Sequence, residues 1–252
     1  MKQFFSVRTL LIGLCMVSVL ALVSCATGRP PNVHYELARV YLGQRAMVPG
    51  DSGDFWEGLR GTPVAIFPWE GGPEDAHGEF FMAANSTHFF IRAEIQDASP
   101  GIRPTTLPAD LAWNGTSIQV FFGPEVSRRG TFNSSDSGLT FWVVQDDMED
   151  PATRRVQVAR AFGIMNPQQA NTALVEWNED SYIIEASFPL AALGITRPMR
   201  LGQGIRVEFR INHAPHGLPR SVIVNWRTFG DDAWHNPNAW SYGVVMARPD
   251  GM

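Results

Sequence analysis

Gly204-Ile205-Arg206-Val207-Glu208-Phe209-Arg210-Ile211-Asn212 alternates apolar and polar residues at every step. Residues two apart lie on one face of a β-strand. The stretch therefore predicts a half-buried strand, with Ile205, Val207, Phe209 and Ile211 inward and Arg206, Glu208 and Arg210 outward. The same period recurs on either side. Phe89–Gln96 sets Phe89, Ile91, Ala93 and Ile95 against Arg92, Glu94 and Gln96. Ser117–Phe122 groups Ile118, Val120 and Phe122, and Ser181–Phe188 groups Tyr182, Ile184, Ala186 and Phe188.

Weaker runs near 36–42, 63–68, 79–84, 139–145, 155–162, 172–177, 221–226 and 242–247 bring the expected total to about a dozen strands. Turn-forming clusters separate them, among them Glu70-Gly71-Gly72-Pro73, Asn133–Gly138 and His235-Asn236-Pro237-Asn238. No segment sustains a helical period, and Leu190–Leu193 before Gly194 is at most one turn of helix. Many short strands without intervening helices predict an all-β fold, an antiparallel, jelly-roll-like β-sandwich.

The first 24 residues read as a signal peptide. Lys2 and Arg8 precede an apolar run from Leu10 to Val23, and small residues follow. The run has 14 residues, short of the roughly 20 that a spanning helix needs. Leu22-Val23-Ser24-Cys25 looks like a lipobox, which makes Cys25 the acylated first residue of the mature chain. Residues 25–34 then form a lipidated tether and 35–252 a single domain. The expected location is the cell envelope, outside the cytoplasm, with membrane contact through the lipid alone.

Cys15 and Cys25 are the only cysteines. The domain accordingly has no thiol for a disulfide, a thiolate metal site or a nucleophile. The 20 basic and 25 acidic residues become 18 and 25 once Lys2 and Arg8 leave with the signal, a net charge of −7. An acidic domain without a basic stripe is a poor partner for nucleic acid or anionic lipid. Arg128-Arg129 and Arg154-Arg155 read as solvated strand ends.

Enzymatic signatures are missing: there is no nucleophile elbow, phosphate-cradling loop or paired-histidine zinc helix. His213-Ala214-Pro215-His216 reads as a polar loop. Asp146-Asp147-Met148-Glu149-Asp150 offers oxygen ligands that a structural calcium would accept, but reads first as a solvated acidic loop. No other cofactor is implied.

The eight tryptophans carry more information. Core packing accounts for most of them. Trp113, in Leu111-Ala112-Trp113-Asn114-Gly115, and Trp234, in Asp231-Asp232-Ala233-Trp234-His235-Asn236-Pro237, stand instead among turn residues. Either they form part of a surface or they fold back as lids over the end of the sandwich.

Trp113–Phe122 resembles the loop-and-strand motif of family 9 carbohydrate-binding modules. Phe89–Asp97, Tyr182–Leu190, Gly204–Asn212, Asn225-Trp226, Trp234-His235-Asn236-Pro237 and Tyr242-Gly243 resemble its other segments in order, over about residues 50–248. The resemblance implies non-catalytic binding of a poly- or oligosaccharide, with the terminal sugar clasped between Trp113 and Trp234. It further implies that Gln119 and Asp231 or Asp232 bind hydroxyls. Thr116 and Gln119 stand where the family usually has Asp and Glu. An amide still donates to and accepts from a hydroxyl, though it accepts less strongly than a carboxylate. The same scaffold also serves haem carriers, for which Met148, Met165, Met199, Met246 or a histidine would supply axial ligands. It also serves structural envelope lipoproteins with no small ligand.

Overall fold

The computed structural model describes residues 37–64, 67–68, 75–103, 105, 108–124, 126, 132, 135–162, 167–215, 220, 222–226 and 232–249. The signal segment, Cys25 and the tether lie outside them, as do Trp69, Arg128, Arg129, Met165, His216 and Asp231. From Leu37 on the chain forms one compact unit.

Among the described residues thirteen strands form in chain order: β1 (Ala38–Leu42), β2 (Thr62–Val64), β3 (Phe67–Pro68), β4 (Ala76–Ala84), β5 (His88–Asp97), β6 (Ser117–Gly123), β7 (Ser137–Gln145), β8 (Arg154–Phe162), β9 (Asn171–Trp177), β10 (Ser181–Pro189), β11 (Gly204–His213), β12 (Val222–Asn225) and β13 (Ser241–Ala247). The run expected at 63–68 divides into β2 and β3. Leu190–Leu193 is a single 3-10 turn, closed by Gly194 at φ 71°, a left-handed conformation that suits glycine.

All thirteen strands belong to one hydrogen-bonded sheet, in the order β8-β7-β6-β11-β13-β1-β4-β5-β10-β9. β12 adds to β11 and β3, and β2 adds to β4. The sheet nearly closes on itself: Thr172 of β9 donates its hydroxyl to the Val156 carbonyl of β8 at 3.2 Å. Strands distant in the order face one another across the core. Phe80 of β4 stacks on Phe209 of β11 with centroids 4.6 Å apart, and Phe89 of β5 meets Phe122 of β6 at 4.8 Å. The inward residues read from the period-two runs all reach this core.

Two expectations need correction. The pairing is not wholly antiparallel, because β1 runs parallel to both β13 and β4. A parallel neighbour cannot come from a hairpin, and the long stretches between β1 and each partner make these two pairings feasible. Nor is β11 half-buried. Arg206, Glu208 and Arg210 are as covered as the apolar residues between them, and β6 is buried on both faces as well. Loops fold over the second face of these strands, and alternation within a strand carries no record of what covers it.

Candidate carbohydrate site

The covered face of β6, β7, β11 and β12 is a polar floor set by strand register. Asn225, Arg210, Gln119 and Thr140 stand opposite one another on four adjacent strands. Arg210 Nε donates to Asn225 Oδ1 at 2.8 Å and Nη1 to Gln119 Oε1 at 3.4 Å. Gln119 Nε2 donates to Thr140 Oγ1 at 3.0 Å. In the next row Asn212 Nδ2 donates to Ser117 Oγ at 3.0 Å. Buried polar groups are tolerated only when hydrogen-bonded, and these cross-strand side-chain contacts contribute to meeting that condition.

Two loops roof the floor. The first is a 3-10 helix, Ala109–Asn114. Its Ala112 packs on Trp142 and Val144, while Trp113 turns outward and stays 36% exposed. Thr116 anchors the base of this loop, donating Oγ1 to the Ala214 carbonyl and accepting from the Gly101 N–H, both at 3.0 Å. The hydroxyl is thus a strut between three segments. The Arg220 N–H donates to the Asn114 carbonyl at 2.9 Å, and the Arg220 guanidinium lies 5.0 Å from the Trp113 ring centre.

The second loop starts with one helical turn, Asp232–His235. Ala233 is buried, and the Trp234 ring sets its edge against Phe121 of β6, with centroids 5.6 Å apart at 79°. Trp240 Nε1 donates to the Ala233 carbonyl at 2.9 Å and fixes the turn from below. Arg206 holds the rest of the loop. It donates Nη1 to the Pro237 carbonyl at 3.1 Å, lies 5.5 Å from the Trp240 ring, and pairs with both oxygens of Asp136 at 2.9 and 2.8 Å. Gly123 makes room for that pair, since a Cβ there would come within 2.5 Å of Asp136 Oδ1.

Trp113 and Trp234, about 120 residues apart in the chain, thereby line one cavity of about 300 Å³ together with Arg220 and His235. Ligand pockets for small molecules begin near this size. Gln119 belongs to the buried floor among these strands. Asp232 opens the helical turn, and Asp231 lies outside the described residues. Arg210, Asn225, Arg220 and His235 were not foreseen from sequence. Arg210 shares the outward alternation of β11, but nothing in the chain marks that face as covered.

Other expected sites resolve differently. His213 is not in a polar loop. It ends β11, buried, with Nδ1 2.7 Å from Asp97 Oδ1. The hydrogen bond with Asp97 raises the His213 pKa, against the opposing effect of burial, and the charges of Asp97 and Asp75 add to the rise. A histidine raised in the folded state stabilises fully below its unfolded pKa, near 6.5, and loses that contribution as pH rises through the higher folded value. The melting-temperature advantage of the parent over His213→Gln should therefore shrink as pH is raised through neutrality. An advantage that is constant or grows with pH contradicts the pairing.

The acidic run at 146–150 is a turn whose carboxylates serve the chain itself. Asp146 takes a two-pronged contact from Arg155, Asp147 accepts from the Glu149 N–H, and Asp150 caps the following 3-10 turn. Among the described residues no three His, Cys, Asp or Glu side chains converge as metal ligands, and no helix is long and apolar enough to cross a membrane. Of the methionines considered as haem ligands, Met148 is 69% exposed, Met246 is partly exposed and Met199 is buried.

Residues 50–246 match the model of the family described as carbohydrate family 9 binding domain-like. Among solved structures, the chain is similar to a family 9 carbohydrate-binding module from Caldicellulosiruptor kristjanssonii in complex with glucose. That match has 16% identity and a TM-score of 0.63, and covers 85% of this chain and 98% of that one. The cellotriose complex from the same organism matches with 16% identity and a TM-score of 0.63 over 84% and 95%. No curated protein sequence matches.

Proposed function

Since the chain belongs to the carbohydrate family 9 binding domain-like family, we propose that it binds a sugar or oligosaccharide without chemistry, clasped between Trp113 and Trp234. One observation carries this reading: two loops far apart in the chain bring both indoles to a single cavity. Flat apolar rings cover the C–H faces of a pyranose, while polar groups at their edges engage its hydroxyls. The similar modules whose complexes contain glucose and cellotriose support the ligand class. Asp231 or Asp232 is proposed as a further hydroxyl ligand, while Gln119, whose amide is engaged by Thr140 and Arg210, is part of the floor beneath. We read the curled sheet as a jelly-roll-like sandwich, because Phe80 and Phe89 on one side meet Phe209 and Phe122 on the other.

Calorimetric titration of the purified domain with glucose, cellotriose and a panel of oligosaccharides tests the function. Saturable binding at one site, with a change in tryptophan fluorescence, is expected. Absence of binding across the panel overturns it.

We propose further that the domain is held at the cell envelope by acylation of Cys25, outside the cytoplasm. The basic, apolar and small segments at residues 2–25 support this. Cys25→Ser should leave unprocessed precursor or a soluble product. A variant processed and as membrane-bound as the parent refutes the anchor.

A further inference from the structure

We infer that the first loop, Ala109–Asn114, is the opening half of the clasp, and that Arg103 beneath it is the positioning residue that sets where Trp113 stands. This rests on the carbohydrate-binding reading above and assigns the two loops different parts in it. Both loops are held by the same device. Arg103, buried, lies 5.3 Å from the Trp142 ring centre and donates Nη2 to the Pro108 carbonyl, which also accepts from the Leu111 N–H at 3.1 Å. Arg206, likewise buried, lies 5.5 Å from the Trp240 ring centre and donates Nη1 to the Pro237 carbonyl, which also accepts from the Trp240 N–H at 3.3 Å. In each case a flat cation on a buried indole grips a carbonyl at the start of a 3-10 turn. Arg103 is itself fixed to β7, where its N–H donates to the Val143 carbonyl at 3.1 Å.

The two grips differ in charge. Arg206 is paired with the buried carboxylate of Asp136. Arg103 Nε has no hydrogen-bond partner among the described residues. Burial lowers the Arg103 pKa, and the charge of Asp110, in the first turn of the loop itself, only partly opposes that. A buried charge without a close opposite charge is costly, and lifting the loop lets water reach this one. The apolar contacts differ in the same sense. Of the first loop's residues only Ala112 is buried, while Leu111 and Trp113 are 41% and 36% exposed. The second loop buries Ala233, Pro237 and Trp240 and sets Trp234 against Phe121. Segments with few buried apolar contacts are the ones that open locally. No side chain caps the start of the first loop's 3-10 helix, and such short turns are weak alone. Its position therefore depends on the Arg103 grip and on the Thr116 strut at its base. Trp113 goes where this backbone carries it.

Hydrogen exchange of the purified domain, read by NMR with and without saturating cellotriose, tests the assignment. In the free domain the Leu111 and Gly115 amides should exchange, relative to their intrinsic rates, about tenfold or more faster than those of Ala239 and Trp240. Cellotriose should slow the first pair more than the second. Arg103→Gln should weaken cellotriose binding about tenfold, the scale of a lost preorganising contact. It should also speed exchange at Leu111 and Gly115 and leave Ala239 and Trp240 as they were. Arg103→Lys, which keeps a charge and a donor but not the flat contact with Trp142, should fall between. In a Trp113→Ala background the effect of Arg103→Gln on affinity should vanish, because Arg103 acts on the sugar only through that indole. A general loss of stability would persist there. Exchange in the first loop equal to or slower than in the second, unchanged affinity in Arg103→Gln, or the same loss with and without Trp113 overturns the inference. If the parent binds no glycan, the carbohydrate reading fails, and the exchange of the two loops still decides which one opens. Should Arg103→Gln not fold, the exchange pattern of the parent decides.

Discussion

Glu185→Ala is expected to lower the stability of the domain by about 3–5 kcal/mol, the range for removing one partner of a buried charged pair. Glu185 lies on β10 with no exposed surface and accepts four hydrogen bonds. They come from the Gly50 N–H at 2.9 Å, Ser52 Oγ at 2.7 Å, Trp56 Nε1 at 2.9 Å and Arg92 Nη1 at 2.7 Å. Its carboxylate thus ties the long segment between β1 and β2 to β5 and β10. That segment supplies Met47, Phe55 and Trp56 to a second apolar cluster with Tyr41, Phe81 and Phe90. Alanine would leave a mostly buried guanidinium and an indole N–H without their acceptor, a desolvation cost that the lost contacts alone understate. For a domain of this size the loss corresponds to a melting point roughly 6–20 °C lower. Glu185→Gln should fall between parent and alanine, because an amide keeps one acceptor but no charge and sets an N–H₂ against one of the donors. Thermal melts followed by circular dichroism measure both variants. A shift of a degree or two for alanine would mean that this carboxylate is not the tie described.

Trp113→Ala should have the opposite signature, with affinity lost and stability kept. An aromatic anchor at the centre of a small site typically contributes about 2 kcal/mol or more, which corresponds to roughly thirtyfold or more in Kd. Trp113 packs less than any other described tryptophan and is the only one among the exposed large hydrophobic residues, so its melting point should move only a few degrees. Trp234→Ala should lose sugar affinity to a similar degree with a larger stability cost, because its edge contact with Phe121 disappears too. Such aromatic pairs contribute about 0.5–1.5 kcal/mol beyond the area they bury. Trp142 provides the contrast. At 2% exposure beneath the first loop, its alanine variant should lose about 3–5 kcal/mol of stability. If Trp113→Ala melts as early as Trp142→Ala while sugar affinity per folded molecule is unchanged, the indole is a packing residue and the clasp is wrong.

The alternation of Gly204–Asn212, Phe89–Gln96, Ser117–Phe122 and Ser181–Phe188 determined the all-β class and which residues enter the main core. Side-chain direction in a strand follows from backbone geometry within a few residues. The turn residues around Trp113 and Trp234 set these indoles apart from the strand tryptophans, but did not decide whether they line a surface or fold back, since Trp240 at the end of the second loop is buried. What lies over the other side of each strand was decided only by tertiary structure. Arg206, Glu208 and Arg210 have the pattern of a solvated face, yet all three are buried, Arg206 beneath Pro237 and Trp240 of the second loop. The parallel placement of β1 between β13 and β4 is equally invisible locally, since pairing joins residues about two hundred positions apart to β13 and about forty apart to β4. The meeting of Trp113 with Trp234 and Arg220 depends on that burial. The loops can sit above the floor only because Arg210, Gln119 and Asn225 satisfy one another across strands, and Asp136 neutralises the arginine that holds the second loop. Those are contacts between distant segments, and strand register, set by the whole sheet, is what brings them into range.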